Sequence, residues 1–250
     1  MTARRVPVPG LRAGEQVLEG PQGHYLARVL RLRAGDAFTA FDPVAAREAD
    51  AVVLSVRGDS LSVRLGAPRA GADRAGSRVT WVQAAPKGSH CDAIVRDATE
   101  LGASRIIVVP TRRSVVRLTM PDARRQRWAR IAVQAARQCG RTEAPSVEVA
   151  KTWMDALGCV GSDEARVCLA TQAQDRIGSW LATAVLRATP LAFACGPEGG
   201  FDDDELAAAR DAGWAVASLG PLTLRVETVA AAVLGAVSVL AQREGQCERG

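Results

Sequence analysis

The sequence predicts a small β-rich module followed by a larger α/β domain with a mainly parallel sheet. Residues 37–65 contain short segments in which apolar and polar residues alternate, as half-buried strands require. From residue 78 onward, apolar strands alternate with helices, which is the pattern of a parallel sheet covered by helices. We therefore expect two domains, at residues 1–70 and 78–250.

Three strands are predicted in the first domain, in the segments AFTAF, ADAVVLSV and SLSVRL. In the last of them Leu61, Val63 and Leu65 alternate with polar residues, so one face should be buried. Residues 66–77, GAPRAGADRAGS, are rich in Gly, Ala and Pro and show no apolar periodicity. We interpret them as the interdomain linker.

The second domain is predicted to begin with the strand RVTWVQAA. The helix SHCDAIVRDATELG follows, with Ile94, Ala98 and Leu101 on one face and a stop at Gly102, and then the apolar strand RIIVVP. The same alternation continues through VCLA, a helix around residues 180–187, PLAFAC, a helix over residues 202–211, WAVASLG, and a final helix from about Val226.

Charge is concentrated in one part of the chain. The 250 residues are 48% hydrophobic, which supports a sizeable core and excludes a disordered or fibrous class. The formal net charge is +5, but residues 112–141 alone hold nine arginines and one acid, a charge of +8. A solvated arginine-rich helix would also produce this cluster, and we favour a nucleic-acid-binding face.

Metal and membrane classes have little support. The six cysteines show no C-x-x-C spacing, and His24 and His90 are the two histidines, so no metal site is predicted. The cysteines are expected to pack as small hydrophobic residues in a reducing compartment. The N-terminus lacks a signal-peptide pattern, and the apolar stretch 229–241 is too short to span a bilayer. We expect a cytoplasmic protein.

Two glycine-containing segments follow strands and open helices. The first is CGPEGGFDDDEL, residues 195–206, in which Asp202 is a good N-cap. Acids at this helix start disfavour a bound phosphate, and a tight strand-to-helix turn is the alternative to a ligand loop. The second is LGPLTLRVET, residues 219–228, with Arg225 and Glu227 as its polar groups. Loops at successive strand ends are expected to form one pocket.

Taken together, these segments resemble a known family. GPEGG followed by LG-x(4)-LR-x-ET is similar to the SPOUT methyltransferases that modify N3 of uridine in 16S ribosomal RNA. Further matches are PKG at 86–88, ATELG at 98–102 and QCGR at 138–141. HYLARVLRLRAGD at 24–36 resembles the first domain of that family, so the resemblance covers nearly the whole chain.

The resemblance implies a PUA-like β-barrel followed by a SPOUT α/β domain with a C-terminal trefoil knot. It also implies a homodimer that methylates the 16S rRNA of the small ribosomal subunit, with S-adenosylmethionine bound in a bent conformation by the knot loops. The implied cofactor-binding residues are Gly196, Glu198, Gly199, Gly200, Leu219, Gly220 and Leu224.

RNA contacts are expected from arginines and one histidine. His24, Arg28 and Arg31 would share one face if their segment is helical, although His24 taken alone suits a surface helix packed on the barrel nearly as well. Trp128 is predicted to be a core residue rather than a base-stacking platform. The full set of predicted RNA-binding residues is His24, Arg28, Arg31, Arg113, Arg137 and Arg141.

The implied chemistry needs removal of the imide proton from uridine N3. We expect Arg225 to stabilise the resulting uracil anion and Glu227 to act as the base, with Glu198 as the competing base. The sequence departs from the family at Leu222, where an arginine is common, and at Gln134, where a glutamate is common. A methyltransferase for another RNA and a non-enzymatic assembly factor are the alternative functions.

Overall fold

Two compact units make up the chain. The computed structural model describes residues 4–71, 78–116, 118–186 and 189–247. The first unit comprises Met1–Arg74 with Val133–Ala144, and the second comprises Ala75–Ala132 with Pro145–Gly250.

The first unit is built on a six-stranded sheet. Its strands are β1 (Arg5–Pro7), β2 (Gly14–Leu18), β3 (Ala37–Asp42), β4 (Arg47–Arg57), β5 (Ser60–Leu65) and β6 (Arg69–Ala70). They are ordered β1-β3-β4-β5-β2, with β6 paired to β4. The β1–β3 pair is parallel and the other described pairs are antiparallel. The three predicted strands are confirmed as β3, β4 and β5.

The predicted linker is wrong at its start. Arg69 and Ala70 belong to the sheet, and the Arg69 guanidinium donates two hydrogen bonds of 3.0 Å to the carboxylate of Asp50. Two residues of edge strand carry no apolar periodicity, because the pairing is made by the backbone and a surface ion pair. The rest of the predicted linker, residues 72–77, lies outside the described residues.

The core of the first unit follows the predicted alternation. Leu61, Val63 and Leu65 on β5 are at most 2% exposed, and they pack in one apolar cluster with Phe38 of β3. Leu26, which is fully buried, fills the same cluster from a short helical segment.

That helical segment ends earlier than the sequence predicts. Helix α1 (Gly20–His24) continues into a π-helical turn, Tyr25–Val29, and Arg31 lies beyond it with a left-handed φ of 52°. The chain turns there because the Leu32 N–H bonds back to the Leu26 carbonyl at 3.0 Å. The expectation that Arg31 shares a helical face with His24 and Arg28 is therefore wrong.

The second unit contains a six-stranded parallel sheet, as the alternating pattern predicts. Its strands are β7 (Val79–Ala84), β8 (Arg105–Val109), β9 (Ser146–Val149), β10 (Ala165–Leu169), β11 (Leu191–Cys195) and β12 (Ala215–Ala217). Their order is β12-β10-β11-β7-β8-β9. All five adjacent pairs are parallel. Every residue of β7 and β11 is buried, as expected for central strands covered on both faces.

Helices α2 to α7 complete the chain. They are α2 (His90–Glu100), α3 (Pro121–Cys139), α4 (Trp153–Gly158), α5 (Ile177–Leu186), α6 (Asp203–Asp211) and α7 (Val226–Cys247). Ile94 and Ala98 of α2 are fully buried, which confirms two of the three residues predicted for the inner face, while Leu101 is the half-buried C-cap. Helix α7 packs against α2 and α5. Within the described residues, no helix is long and apolar enough to cross a membrane.

Three cysteines are buried, as predicted for small hydrophobic residues, and the side chain of Cys247 lies outside the described part of the structure. Cys91, Cys168 and Cys195 are buried, whereas Cys139 and Cys159 are exposed. Burial raises the pKa of the Cys195 thiol to about 12, so this group remains a neutral thiol at ordinary pH.

Candidate active site

A cavity lies in the second unit at the carboxyl ends of three adjacent parallel strands. Its walls are the loops that follow β10, β11 and β12, and its volume is about 250 Å³. This edge is where ligands collect in open α/β sheets. All seven residues predicted to bind the cofactor line this one cavity: Gly196, Glu198, Gly199, Gly200, Leu219, Gly220 and Leu224.

Two contributions to the wall were not predicted. The loop after β10 adds Leu169, Ala170, Thr171 and Gln172, and Arg113 adds its side chain. These four loop residues include no glycine and no charged side chain, so their position after the strand VCLA was the available signal. Arg113 was predicted as an RNA contact.

Close backbone packing explains the glycines after β11. A Cβ on Gly196 would lie 3.0 Å from the backbone of Gly200, and Gly200 itself has a φ of +68°. A side chain at either position would force the loop to shift. The loop therefore approaches itself too closely for ordinary residues, and its concave side remains open to the cavity.

A buried amide holds this loop in place. Gln83 on β7 is fully buried, and its Nε2 donates to the carbonyls of Gly196 at 3.3 Å and Cys195 at 3.4 Å. Its Oε1 accepts a 3.1 Å hydrogen bond from the Trp81 indole. Gln83 was not among the predicted residues, although an amide side chain in a mostly apolar strand is a signal in the sequence. A buried amide is stable when its donors and acceptors are matched, as they are here.

Two arginines in the segment after β8 bind the rest of the loop that follows β11. Arg113 Nη1 donates to the Gly199 carbonyl at 2.9 Å and to the Phe201 carbonyl at 3.2 Å. Arg112 Nη1 lies 2.9 Å from Asp202 and 2.8 Å from Asp204. Two arginines of the basic stretch thus make contacts within this unit, although both remain exposed.

Helix α6 starts as predicted. The Asp202 carboxylate accepts a 2.8 Å hydrogen bond from the Glu205 N–H. In turn, the Glu205 carboxylate accepts a 2.9 Å hydrogen bond from the Asp202 N–H. This reciprocal capping box confirms Asp202 as the N-cap. It also places carboxylates at the start of the helix, where they occupy the amide donors that a phosphate would need.

The LR-x-ET segment borders the cavity with alternate residues. Leu224 and Val226 contribute to the wall, while Arg225 and Glu227 do not. Arg225 is exposed, and within the described residues its guanidinium has no hydrogen bond or ion pair. Glu227 Oε2 lies 3.3 Å from His90 Nδ1. The structure thus places both predicted catalytic residues beside the pocket.

Both candidate bases contact the same turn, Lys87–His90. Glu198 Oε1 accepts a 2.9 Å hydrogen bond from the Lys87 N–H, and Glu227 pairs with His90 at the other end of the turn. The loop after β11 and the first turn of α7 each contribute a carboxylate that contacts this one turn.

The remaining predicted RNA-binding residues lie in the first unit. His24 Nδ1 and Arg28 Nε lie 2.9 Å and 2.6 Å from the Asp59 carboxylate. The hydrogen bond with His24 has the larger effect in lowering the pKa of Asp59, and the hydrogen bond from Arg28 lowers it further. The Arg137 guanidinium lies 4.5 Å from the centre of the Tyr25 ring, a cation–π geometry. Trp128, which belongs to the second unit, is 2% exposed, so its assignment to the core is confirmed.

We expect RNA affinity to depend on Arg137 and Arg141. Reversing both to glutamate should weaken RNA binding and make it less sensitive to salt, because fewer counterions are released from the RNA. Filter binding of ribosomal RNA across a salt series would measure both the affinity and its salt dependence. The affinity for S-adenosylmethionine should be unchanged.

The matched control replaces the exposed Arg12 and Arg57 by glutamate, which changes the net charge by the same amount as the Arg137 and Arg141 double variant. Thermal melts must accompany both variants, since Arg137 also packs on Tyr25. Equal RNA affinity of the two folded double variants would contradict a specific role for Arg137 and Arg141.

The chemical character of the cavity suits an amphipathic nucleoside ligand. Its wall combines apolar side chains such as Leu169, Leu219 and Val226 with the backbone of two glycine loops and two charged side chains, Glu198 and Arg113. Within the described residues, no group of three or more His, Cys, Asp or Glu side chains is placed to hold a metal ion. The fold and the cavity define an α/β protein with a ligand pocket at the carboxyl ends of parallel strands, in a chain that also carries a β-rich unit.

Comparison with known proteins identifies the family. The family model described as RNA methyltransferase domain matches residues 74–238, and the one described as RNA methyltransferase PUA domain matches residues 18–66. The ribosomal RNA small subunit methyltransferase E of Mycobacterium bovis is 35% identical over 233 residues, which cover 91% of this chain and 87% of that protein. The Synechocystis protein of the same name is 30% identical over 245 residues, covering 91% and 76%.

A similar solved structure is also that of a putative methyltransferase. A putative methyltransferase from Legionella pneumophila, in complex with the bound cofactor SAM, matches with a TM-score of 0.82 and 25% identity, covering 96% of this chain and 98% of that one. The chain belongs to the RNA methyltransferase family, of the ribosomal RNA small subunit methyltransferase E type, and its N-terminal part is PUA-like.

Proposed function

We propose that this protein transfers a methyl group from S-adenosylmethionine to N3 of a specific uridine in 16S rRNA of the small ribosomal subunit. The observation that carries the proposal is the single cavity around which all seven predicted cofactor residues lie. The family membership supports RNA as the substrate, and the names of the relatives support ribosomal RNA of the small subunit.

The cavity fits the proposed cofactor in chemical character. Leu169, Leu219 and Leu224 offer apolar contacts to an adenine ring and a thioether chain, while the glycine loops expose backbone N–H and C=O groups to polar edges. Glycine at 196 and 200 keeps this approach free of side chains. When bound, S-adenosylmethionine supplies an activated methyl group on a sulfonium centre.

The protein's own groups must then prepare uridine N3, which carries an imide proton. Glu227 is the proposed acceptor of that proton, and Arg225 is proposed to stabilise the negative charge that develops on the uracil oxygens. The unpaired guanidinium of Arg225 beside the cavity supports this role. Glu198, which lines the cavity, is the competing base.

We further propose the finer architecture that the resemblance implies. The division into residues 1–70 and 78–250, closure of the first domain as a PUA-like barrel, and a trefoil knot in the C-terminal segment all belong to this proposal. The packing of the last helix, α7, against both α2 and α5 is compatible with a threaded C-terminus. A cytoplasmic location follows from the proposed ribosomal substrate.

We also propose that the protein forms a homodimer whose interface lies in the second domain. Helix α7 buries Ala230, Val233 and Leu234 in its own unit, but Ala232, Ala236 and Val239 remain exposed, with Val239 60% accessible. An exposed apolar face of this kind favours association. Light scattering at micromolar concentration should give twice the chain mass, and a purely monomeric sample would contradict the dimer.

Nucleoside analysis tests the proposed function directly. Purified protein, S-adenosylmethionine with a labelled methyl group and small subunits from a strain lacking the gene should yield labelled N3-methyluridine at one position in 16S rRNA. Label in transfer RNA or large-subunit RNA would favour the alternative substrate. Absence of label together with tight subunit binding would favour an assembly factor.

A further inference from the structure

A second cavity lies in the same unit, between the start of α2 and the start of α3. Its volume is about 460 Å³, and Gly88 and Ser89 form part of its wall. These two residues belong to the turn Lys87–His90, which contacts Glu198 in the wall of the first cavity and Glu227 beside it. One short turn therefore lines the second cavity and contacts a wall residue of the first.

The charges of the second cavity come from two arginines and one acid. Arg127 donates to both carboxylate oxygens of Asp92 through Nε and Nη2, and Trp128 Nε1 donates to Asp92 at 3.0 Å. Asp92 is thus fully engaged and holds Arg127 in a fixed position. The pair contributes little net charge.

Arg124 supplies the remaining charge. Its Nε donates to the Thr119 carbonyl at 3.3 Å, and within the described residues no carboxylate forms an ion pair with it. The neighbouring Cys91 adds no negative charge, because burial raises the pKa of its thiol to about 12, Asp92 adding to the rise and Arg124 opposing it. The cavity is therefore cationic at neutral pH.

The two cavities differ in the charge that they accept. The wall of the first cavity combines the carboxylate of Glu198 with the guanidinium of Arg113 and so carries little net charge, whereas the fixed, planar donors of Arg124 suit phosphate oxygens in the second. A uridine in RNA combines a neutral base with anionic phosphates. Its base can approach the carboxylates at low electrostatic cost, and a phosphate is stabilised beside the arginine.

We infer that the second cavity binds a phosphodiester group of the RNA strand next to the target uridine, with Arg124 as its principal ligand. This inference rests on the proposed function for the identity of the base. It assigns to Arg124 a local contact, distinct from the general attraction of the basic stretch for RNA.

Arg125 provides a matched control for that distinction. It is the next residue on α3, it is exposed, and it does not line the cavity. Its ion pair with Asp122 is long, at 3.9 Å. Replacing Arg124 or Arg125 by alanine changes the net charge of the protein equally, so a difference between the two variants reports the cavity.

Binding of small ligands tests the site without requiring catalysis. Uridine, uridine 5′-monophosphate and uridine 3′-monophosphate would be titrated by ligand-observed NMR in the presence of S-adenosylhomocysteine. At least one of the monophosphates should bind about tenfold more tightly than uridine, the size of one charge-assisted hydrogen bond. Arg124→Ala should remove this preference and Arg125→Ala should keep it.

Two results would overturn the inference. One is equal binding of uridine and both monophosphates by the unaltered protein, and the other is equal loss of the preference in Arg124→Ala and Arg125→Ala. Melting temperatures would confirm that both variants are folded, and Arg124→Lys, which keeps the charge, should retain part of the preference.

The salt dependence of RNA binding provides a second readout. The slope of log affinity against log salt should fall by about 0.7 in Arg124→Ala if one phosphate contact is lost. S-adenosylmethionine affinity should be unchanged. A phosphate preference that survives although no N3-methyluridine is formed would count against the proposed function and leave the phosphate site intact.

Discussion

Replacement of Arg225 by alanine is expected to lower the single-turnover rate of methyl transfer by about 10²- to 10³-fold, with little change in S-adenosylmethionine affinity. The physical reason is that the uracil oxygens gain negative charge as N3 loses its proton. A fixed guanidinium stabilises that charge, and water would do so less well. Because Arg225 is unpaired within the described residues, its removal should leave the neighbouring contacts of the loop in place.

Rapid-quench measurement with excess enzyme would separate this effect from RNA binding. Arg210→Ala, an exposed arginine on α6, controls for the change of net charge. Arg225→Lys should recover part of the rate, since a positive charge returns without the planar donors. If Arg225→Ala instead weakens cofactor binding and leaves the saturated rate near normal, Arg225 is a binding residue.

Glu227→Gln should reduce the single-turnover rate by about 10²- to 10⁴-fold, the range for loss of a general base. The amide is isosteric and can still hydrogen-bond His90, so the turn Lys87–His90 should keep its position. RNA affinity and cofactor affinity should therefore be retained. The measurement is the rate at saturating RNA and cofactor across a pH series.

A comparison of three carboxylates decides between the candidate bases. Glu198→Gln tests the competitor, and Glu100→Gln, an exposed residue at the end of α2, is the control. A near-normal rate in Glu227→Gln with a large loss in Glu198→Gln would assign proton removal to Glu198. Normal rates in both variants would leave solvent as the proton acceptor.

The parts of the fold that sequence predicts are those with a strong local signal. The capping box at Asp202, the stop of α2 near Gly102 and the alternation on β5 each depend on residues within a few positions of each other. The cavity was also predictable, because the carboxyl ends of adjacent parallel strands meet at one edge of a sheet.

The elements that were missed are short or depend on distant contacts. Strand β9 has four residues, of which Val147 alone is buried, and α4 has six, too few to show a helical period. The role of Gln83 depends on carbonyls at residues 195 and 196, more than a hundred positions away. The early helix end before Arg31 depends on a local π-helical turn that apolar periodicity does not reveal.

The buried Gln83 amide has a consequence for the thermodynamics of cofactor binding. Its hydrogen bonds hold the carbonyls of Cys195 and Gly196 from inside the sheet, so the loop has its shape before any ligand arrives. A loop of three glycines would otherwise lose much conformational entropy on becoming ordered around a ligand. Because that loss has already occurred during folding, the binding entropy should be less unfavourable than the glycine content alone suggests.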